Sequence, residues 1–307
     1  MVGENGMLDV FTRIPATVKE ASVRKGLFYP LEIAVFLTLF FVAQAVIPSA
    51  EDRFMKLMLA AKPGAPAMLM IESYSCAFAI MVYVCYARLV QKRPLSGLGF
   101  ATTRVNAAIE YARGLAIGFL MFTAAILVET MHGYVSILGT GGTAAIPYVT
   151  IAFAGTLIQG MAEEVAFRGY FMVSIARRYP VWLAIFTNSL LFGLVHLTNT
   201  GATAISTVNT CLIAIFFSIV FLKRDSIWMC GAIHSAWNFA QSCVFGQHTS
   251  GFETVPSIFV MSNPTGASMF TGGVYGVEAS LIATIIEVIA IIGALRMKQA
   301  AAEENQE

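Results

Sequence analysis

From about residue 28 onward, apolar residues come in long runs with few polar interruptions, and the short periods that mark half-buried helices and strands of soluble chains are missing. Eight runs have about the 20 residues that an α-helix needs to cross the hydrocarbon core of a bilayer. They cover roughly 28–48, 65–90, 107–131, 146–177, 181–199, 203–222, 227–247 and 276–297. The pattern predicts an all-α fold, a polytopic transmembrane helical bundle of about eight spans over residues 28–299. Before it, Met7, Leu8, Val10, Phe11, Ile14 and Val18 alternate with Arg13, Lys19, Arg24 and Lys25. This makes residues 1–27 a basic amphipathic segment, which lies on the membrane surface or remains a disordered tail. Residues 248–275 are polar and rich in Gly, Ser and Thr, as expected of an exposed loop, and residues 300–307 form a short acidic tail.

Composition agrees with this picture. The chain is 57% hydrophobic and 12% charged, against about 25% charged in ordinary globular proteins, and its mean hydropathy is +0.73. An integral, multi-pass membrane protein is expected. The net charge of +1 says little, but the placement of Lys and Arg says more. Basic residues precede the first run, lie between the second and third (Arg88, Lys92, Arg93, Arg104), and follow the fourth (Arg177, Arg178), sixth (Lys223, Arg224) and eighth (Arg296, Lys298). The alternate loops 132–145, 200–202 and 248–275 hold none; only the first outer loop, with Arg53, Lys56 and Lys62, departs from the rule. Both termini are therefore expected in the cytoplasm, and in a bacterium the membrane would be the cell (inner) membrane. The first 27 residues show no apolar signal-peptide core. The five cysteines sit in apolar runs without CxxC spacing, which argues against a disulfide framework or a cysteine zinc site. No nucleic-acid patch or phosphate loop is visible.

Ionisable residues inside the spans are the candidate chemistry, because charge at membrane depth is costly and functional by default. In Gly160-Met-Ala-Glu-Glu-Val-Ala-Phe-Arg-Gly169, Glu164 and Arg168 stand four apart with the acid first, the favourable order for a helical pair. Glu163 points about 100° away and is left without a partner on its own helix. His196 lies in the fifth run, and His234 and Asn238 share one face of the seventh. Counted from the basic ends of their spans, Glu163, His196 and Asn238 lie at about 21, 24 and 17 Å, so the polar groups reach similar depth. Peptide hydrolysis needs an activated water, a proton shuttle and an oxyanion site. Glu163 is the candidate base, with His196 sharing the water. His234 and Asn238 are candidate donors to one oxyanion. Glu163, His196 and His234 also make up a His₂Glu zinc set, but the metal-free reading, with no cofactor, is favoured. Asn238 would have no evident task beside a zinc ligand.

Three motifs therefore follow in order on separate spans: EExxxR (Glu163-Glu164 to Arg168), FxxxH (Phe192 to His196) and HxxxN (His234 to Asn238). This resembles the CPBP family of intramembrane proteases, which includes the Rce1-type CAAX prenyl endopeptidases, and the likeness covers about residues 95–245. It implies an Rce1-like bundle, an intramembrane endopeptidase and the same division of roles. Glu164 and Arg168 would hold the fourth span in register, and Phe192 would shape the site by packing. The substrate would be a peptide or membrane protein embedded in lipid, cut near the cytoplasmic face, and prenylated if the likeness extends that far. Other intramembrane protease chemistries are excluded: no HExxH occurs, no Asp lies mid-span, and Ser250 sits in a loop. Competing readings are a proton-coupled transporter, a non-catalytic scaffold or immunity protein, and a bis-histidine haem protein. No inverted repeat supports the first, the intact motifs oppose the second, and nothing near the histidines suggests haem.

Overall fold

The computed structural model describes residues 8–22, 26–58, 65–100, 106–264, 266 and 268–299, with the backbone alone for 46–58 and 65–72. Arg24, Lys25, Lys62, Arg104 and the acidic tail lie outside the described residues. Each predicted run is helical over most of its length. The helices are α1 (Ala16–Ala21), α2 (Tyr29–Met58), α3 (Ala65–Cys85), α4 (Ala107–Met131), α5 (Gly142–Glu164), α6 (Val173–Ala176), α7 (Val181–Val195), α8 (Ala204–Arg224), α9 (Trp228–Phe239) and α10 (Leu281–Arg296). Through a π-helical stretch, Val165–Met172, α5 runs into α6 as one long rod. Five of the described helical stretches are long and apolar enough to cross a membrane: Ser73–Val90, Ala107–Met131, Gly142–Ala176, Val181–Thr198 and Ala204–Arg224. The chain is an all-α, polytopic membrane bundle.

Helix ends are set locally. Asn106 accepts from the backbone N–H groups of Ala108 and Ile109 to start α4. Thr203 and Ser206 cap α8 reciprocally, and Ser280 caps α10, each satisfying donors the helix cannot. The bundle closes around α9, whose residues Met229–Trp237 are all buried and which packs most extensively on α4 and then on α5. The approach is close because the facing residues are small. A Cβ on Gly118 of α4 would lie 2.2 Å from the carbonyl oxygen of Ile233, and one on Gly160 of α5 would lie 2.6 Å from the backbone nitrogen of Ser235.

The basic residues gather at one end of the bundle. Buried Arg93 donates to the carbonyls of Gly97 and Gly169. Arg177 pairs with Glu32 at 3.2 Å. Arg224 grips Glu110 through Nε and Nη2 at 2.8 and 2.9 Å, a two-pronged geometry. The described N-terminal residues 8–22 also dock here, against the protein. Val10, Val18 and Ala21 are buried in the protein core. Asp225, in the left-handed conformation that ends α8, accepts from the N–H groups of Ala16 and Thr17, each at 2.9 Å. A carboxylate at that helix start is favoured by the helix dipole.

The opposite end differs from its expectation. Residues 248–275 were expected to be a simple exposed loop. Instead strand β2 (Phe259–Met261) pairs antiparallel with β1 (Ile137–Thr140), in the loop after α4. Thr249, Ser250 and Phe252 then fold over the bundle and line its main cavity.

The glycine contact gives a first test. Gly118→Val forces a side chain against the α9 backbone and should cost at least about 1–3 kcal/mol, a drop of several degrees in Tm for a chain of this size. Gly293→Ala, with no atom within 4 Å of the new Cβ, should leave Tm unchanged or raise it. Thermal melts in detergent check both. Equal Tm for Gly118→Val and wild type would contradict the α4–α9 contact.

Candidate functional site

Glu163 and Glu164 are the last residues of α5, where the chain widens into the π-helical stretch. Such wide turns recur at functional sites. The two carboxylates part company there. Glu164 and Arg168 are both fully buried, and Arg168 Nη1 donates to Glu164 Oε1 at 2.9 Å. Arg168 Nη2 donates to the carbonyl of Ala214 at 3.1 Å. Its guanidinium lies 4.6 Å from the ring centre of Phe192 and 5.2 Å from that of Phe217, within the range of cation–π attraction. Phe192 thus holds a charge as well as filling space.

Glu164 has a second partner that lies seventy residues away and that spacing along one helix does not reveal. His234 Nδ1 is 2.9 Å from the same Oε1. A carboxylate only accepts, so Nδ1 carries the hydrogen and Nε2 faces the other way. Arg168 pairs with Glu164 as its spacing suggests, and the imidazole of His234 shares the same oxygen. Phe217 stacks on His234, with ring centres 5.2 Å apart and planes 16° apart, which further fixes the ring.

Glu163 turns into the cavity, its side chain 30% exposed, with Oε2 3.9 Å from His234 Nε2. The expectation that it has no partner on its own helix is corrected. Gln159, one turn earlier, donates its amide Nε2 to Glu163 Oε1. Asn238 Nδ2 donates in turn to Gln159 Oε1 at 2.8 Å, so an amide chain links Asn238 to Glu163. Gln159 was missed by the sequence reading; the signal was a lone amide in an apolar run, four residues before the acid. His196 sits one residue beyond the end of α7, in a tighter turn. Its Nδ1 donates to the carbonyl of Phe192 at 2.7 Å, which leaves Nε2 as an acceptor.

Glu163, His196, His234 and Asn238 line one cavity of about 380 Å³, together with Gln159 and apolar residues of α2, α3 and α5. Glu164 and Arg168 stand behind its wall. Thr249, Ser250 and Phe252 also line it, so the cavity lies toward the end away from the basic loops. The expected cut near the cytoplasmic face does not fit this geometry with the orientation drawn from Lys and Arg. The charge pattern gave the depth from one end but not which loops cover the site.

A zinc ion would need three of these donors at about 2.0–2.2 Å from one point. Among the described residues, no three His, Cys, Asp or Glu side chains converge in that way. His234 Nδ1 is engaged with Glu164, which leaves its Nε2 facing Glu163 Oε2 at 3.9 Å.

The shared carboxylate makes a prediction. Arg168→Ala leaves Glu164 buried with only the imidazole, a change of the kind that costs about 3–5 kcal/mol. Adding Glu164→Gln should recover part of that stability without recovering activity, because His234 loses its anionic partner. Thermal melts and turnover of the two single variants and the double variant check this. Strictly additive losses in Tm would mean that the pair does not act as a unit.

Residues 144–240 match the family model described as type II CAAX prenyl endopeptidase Rce1-like. No curated protein and no solved structure matches the chain. The matched segment runs from the second residue after the start of α5 to the first residue after α9, and it contains all three motifs in order. Over this segment, about a third of its length, the chain is therefore similar to the Rce1-like type II CAAX prenyl endopeptidases.

Proposed function

We propose that the chain hydrolyses a peptide bond with a water activated by Glu163 and His196. His234 and Asn238 donate to the oxyanion. Glu163 draws a proton from the water while His196 Nε2, a free acceptor, orients it. The water oxygen attacks the carbonyl carbon, and the developing O⁻ lies toward His234 and Asn238. His234 bears hydrogen on Nδ1 against Glu164, so donation from Nε2 requires that both ring nitrogens carry hydrogen. The observation that carries the reading is that these four side chains share one cavity while the Glu164–Arg168 pair stays outside it. No metal is needed in this scheme. The apolar walls from α2 and α3 suit a lipid-embedded peptide or membrane protein, prenylated or not. With both termini in the cytoplasm, as the basic loops favour, the substrate would reach the cavity from the far side of the membrane. A proton-coupled transporter has no specific observation in its favour.

Glu163→Gln keeps the shape and a hydrogen bond but removes the base. Turnover of a fluorogenic peptide library by lipid-reconstituted protein should fall by about 10²–10⁴-fold, with Tm close to wild type. Dialysis against a strong chelator should leave wild-type activity intact. Turnover above a tenth of wild type in the glutamine variant would remove Glu163 from the role of base. Stoichiometric zinc, with activity lost on chelation and restored only by metal, would replace the scheme with a zinc mechanism.

The side of approach has its own test. In sealed right-side-out vesicles, a membrane-impermeant peptide from that library should be cleaved without lysis. Cleavage seen only after lysis would reverse the assignment.

A further inference from the structure

A second, smaller cavity of about 50 Å³ lies behind the histidines, between α7, α8, α9 and α10. One wall is His196, His234 and Asn238, shared with the main cavity; the other holds Thr210, Glu278 and Glu287. Nothing in the hydrolytic scheme uses this second wall. Glu278 is well supplied: Oε2 accepts from Gln241 Nε2 at 2.7 Å and from the N–H of Ser250 at 2.9 Å, and Oε1 accepts from the Ser250 hydroxyl at 3.0 Å. Glu287 is different. It lies mid-helix on α10, 2% exposed, and its Oε2 has no hydrogen-bond partner among the described residues. A buried carboxylate oxygen without a donor is costly, and the chamber beside it is both polar and large enough to remedy this. A water needs roughly 10–15 Å³ of such space and two to four polar partners, so about three to five waters fit.

We propose that this chamber holds the water that the hydrolysis consumes, with Glu287 as the positioning residue that anchors it. The inference rests on the hydrolytic reading of the main cavity. Each turnover takes one water: its oxygen bonds to the acyl carbon, the C–N bond breaks, and its two protons end on the new amine and the new carboxyl group. A substrate lying in the main cavity displaces the water beside Glu163. The chamber behind the imidazoles then supplies it. His196 and Asn238 border both cavities, so a water leaving Glu287 passes to the reacting face along polar groups able to bind it.

The test uses the full chain in nanodiscs and X-ray radiolytic hydroxyl-radical footprinting, in which ordered internal water oxidises the buried side chains beside it. Phe217 and Trp237 border the chamber and are 2% and 6% exposed. Both should be oxidised in the wild type. In Glu287→Leu their oxidation should fall several-fold while that of exposed Met269 stays the same. The same variant should lose about ten- to a hundredfold in kcat, the rate equivalent of one hydrogen bond to a charged group, with KM and Tm not reduced. Glu287→Gln, which still binds water, should restore both signals. A merely structural carboxylate predicts the reverse: removing it would leave kcat unchanged and raise Tm. Absent oxidation of Phe217 and Trp237 in the wild type, oxidation that survives the leucine, or wild-type kcat in the leucine variant each overturns the proposal. Footprinting does not depend on turnover, so a failure of the Glu163 base would be seen separately.

Discussion

The site depends on one oxygen atom. Glu164 Oε1 receives both the Arg168 guanidinium and His234 Nδ1, each at 2.9 Å, in a place with no exposure to solvent. In such surroundings a lone charge is far too costly, and an ion pair persists only with good geometry and further hydrogen bonds. Arg168 meets the condition through the Ala214 carbonyl and the faces of Phe192 and Phe217. These contacts draw α5, α7, α8 and α9 to one point, so the ring of His234 is aimed by the same network that neutralises the buried charge. Glu164 is thus a framework residue, although it stands next to the proposed base and is chemically identical to it.

That difference between neighbours follows from backbone geometry and small residues. Consecutive helical positions diverge by about 100°, so one carboxylate faces the protein and the other the cavity. The facing helix must be close for either to meet a partner. Gly160, three residues before Glu163, lets α5 lie against Ser235, next to His234 in α9. Gly118 does the same for α4 on the other flank of α9. In a membrane, where lipid offers the same apolar environment as the core, close backbone packing of this kind replaces much of the hydrophobic drive. The glycines are part of the reason the polar groups converge.

Much of this was legible in the sequence and some of it was not, for identifiable reasons. Apolar runs fix where helices form, and each predicted run is helical over most of its length. Spacing of four along one helix exposed the Glu164–Arg168 pair. It could not expose the bond from His234 to Glu164, which spans two helices. Gln159 carries no charge, so it drew no notice, yet it links Asn238 to Glu163. The alternation of Val10 and Val18 with basic residues showed that one face is apolar. It could not say whether lipid or protein covers that face, and Asp225, one of only three aspartates, decides it by capping α1. Gly, Ser and Thr between the last two spans looked like open loop because three- and four-residue strands leave too short a pattern to read.

The two ends of the bundle divide the work. At the basic end, Arg93, Arg177 and Arg224 are each tied to carbonyls or carboxylates from other segments, and the N-terminal segment is docked over them. This end is closed and cross-linked. At the other end, helix termini and loops surround the cavities: α7 stops just before His196, and Asn199 donates to the carbonyl of Ser250 at 3.0 Å. Ser250 in turn is held by Glu278. One short loop therefore touches the end of α7, the wall of the smaller cavity and the roof of the larger one. Ser250 therefore ties the roof of the larger cavity to the wall of the smaller one through its bonds to Asn199 and Glu278.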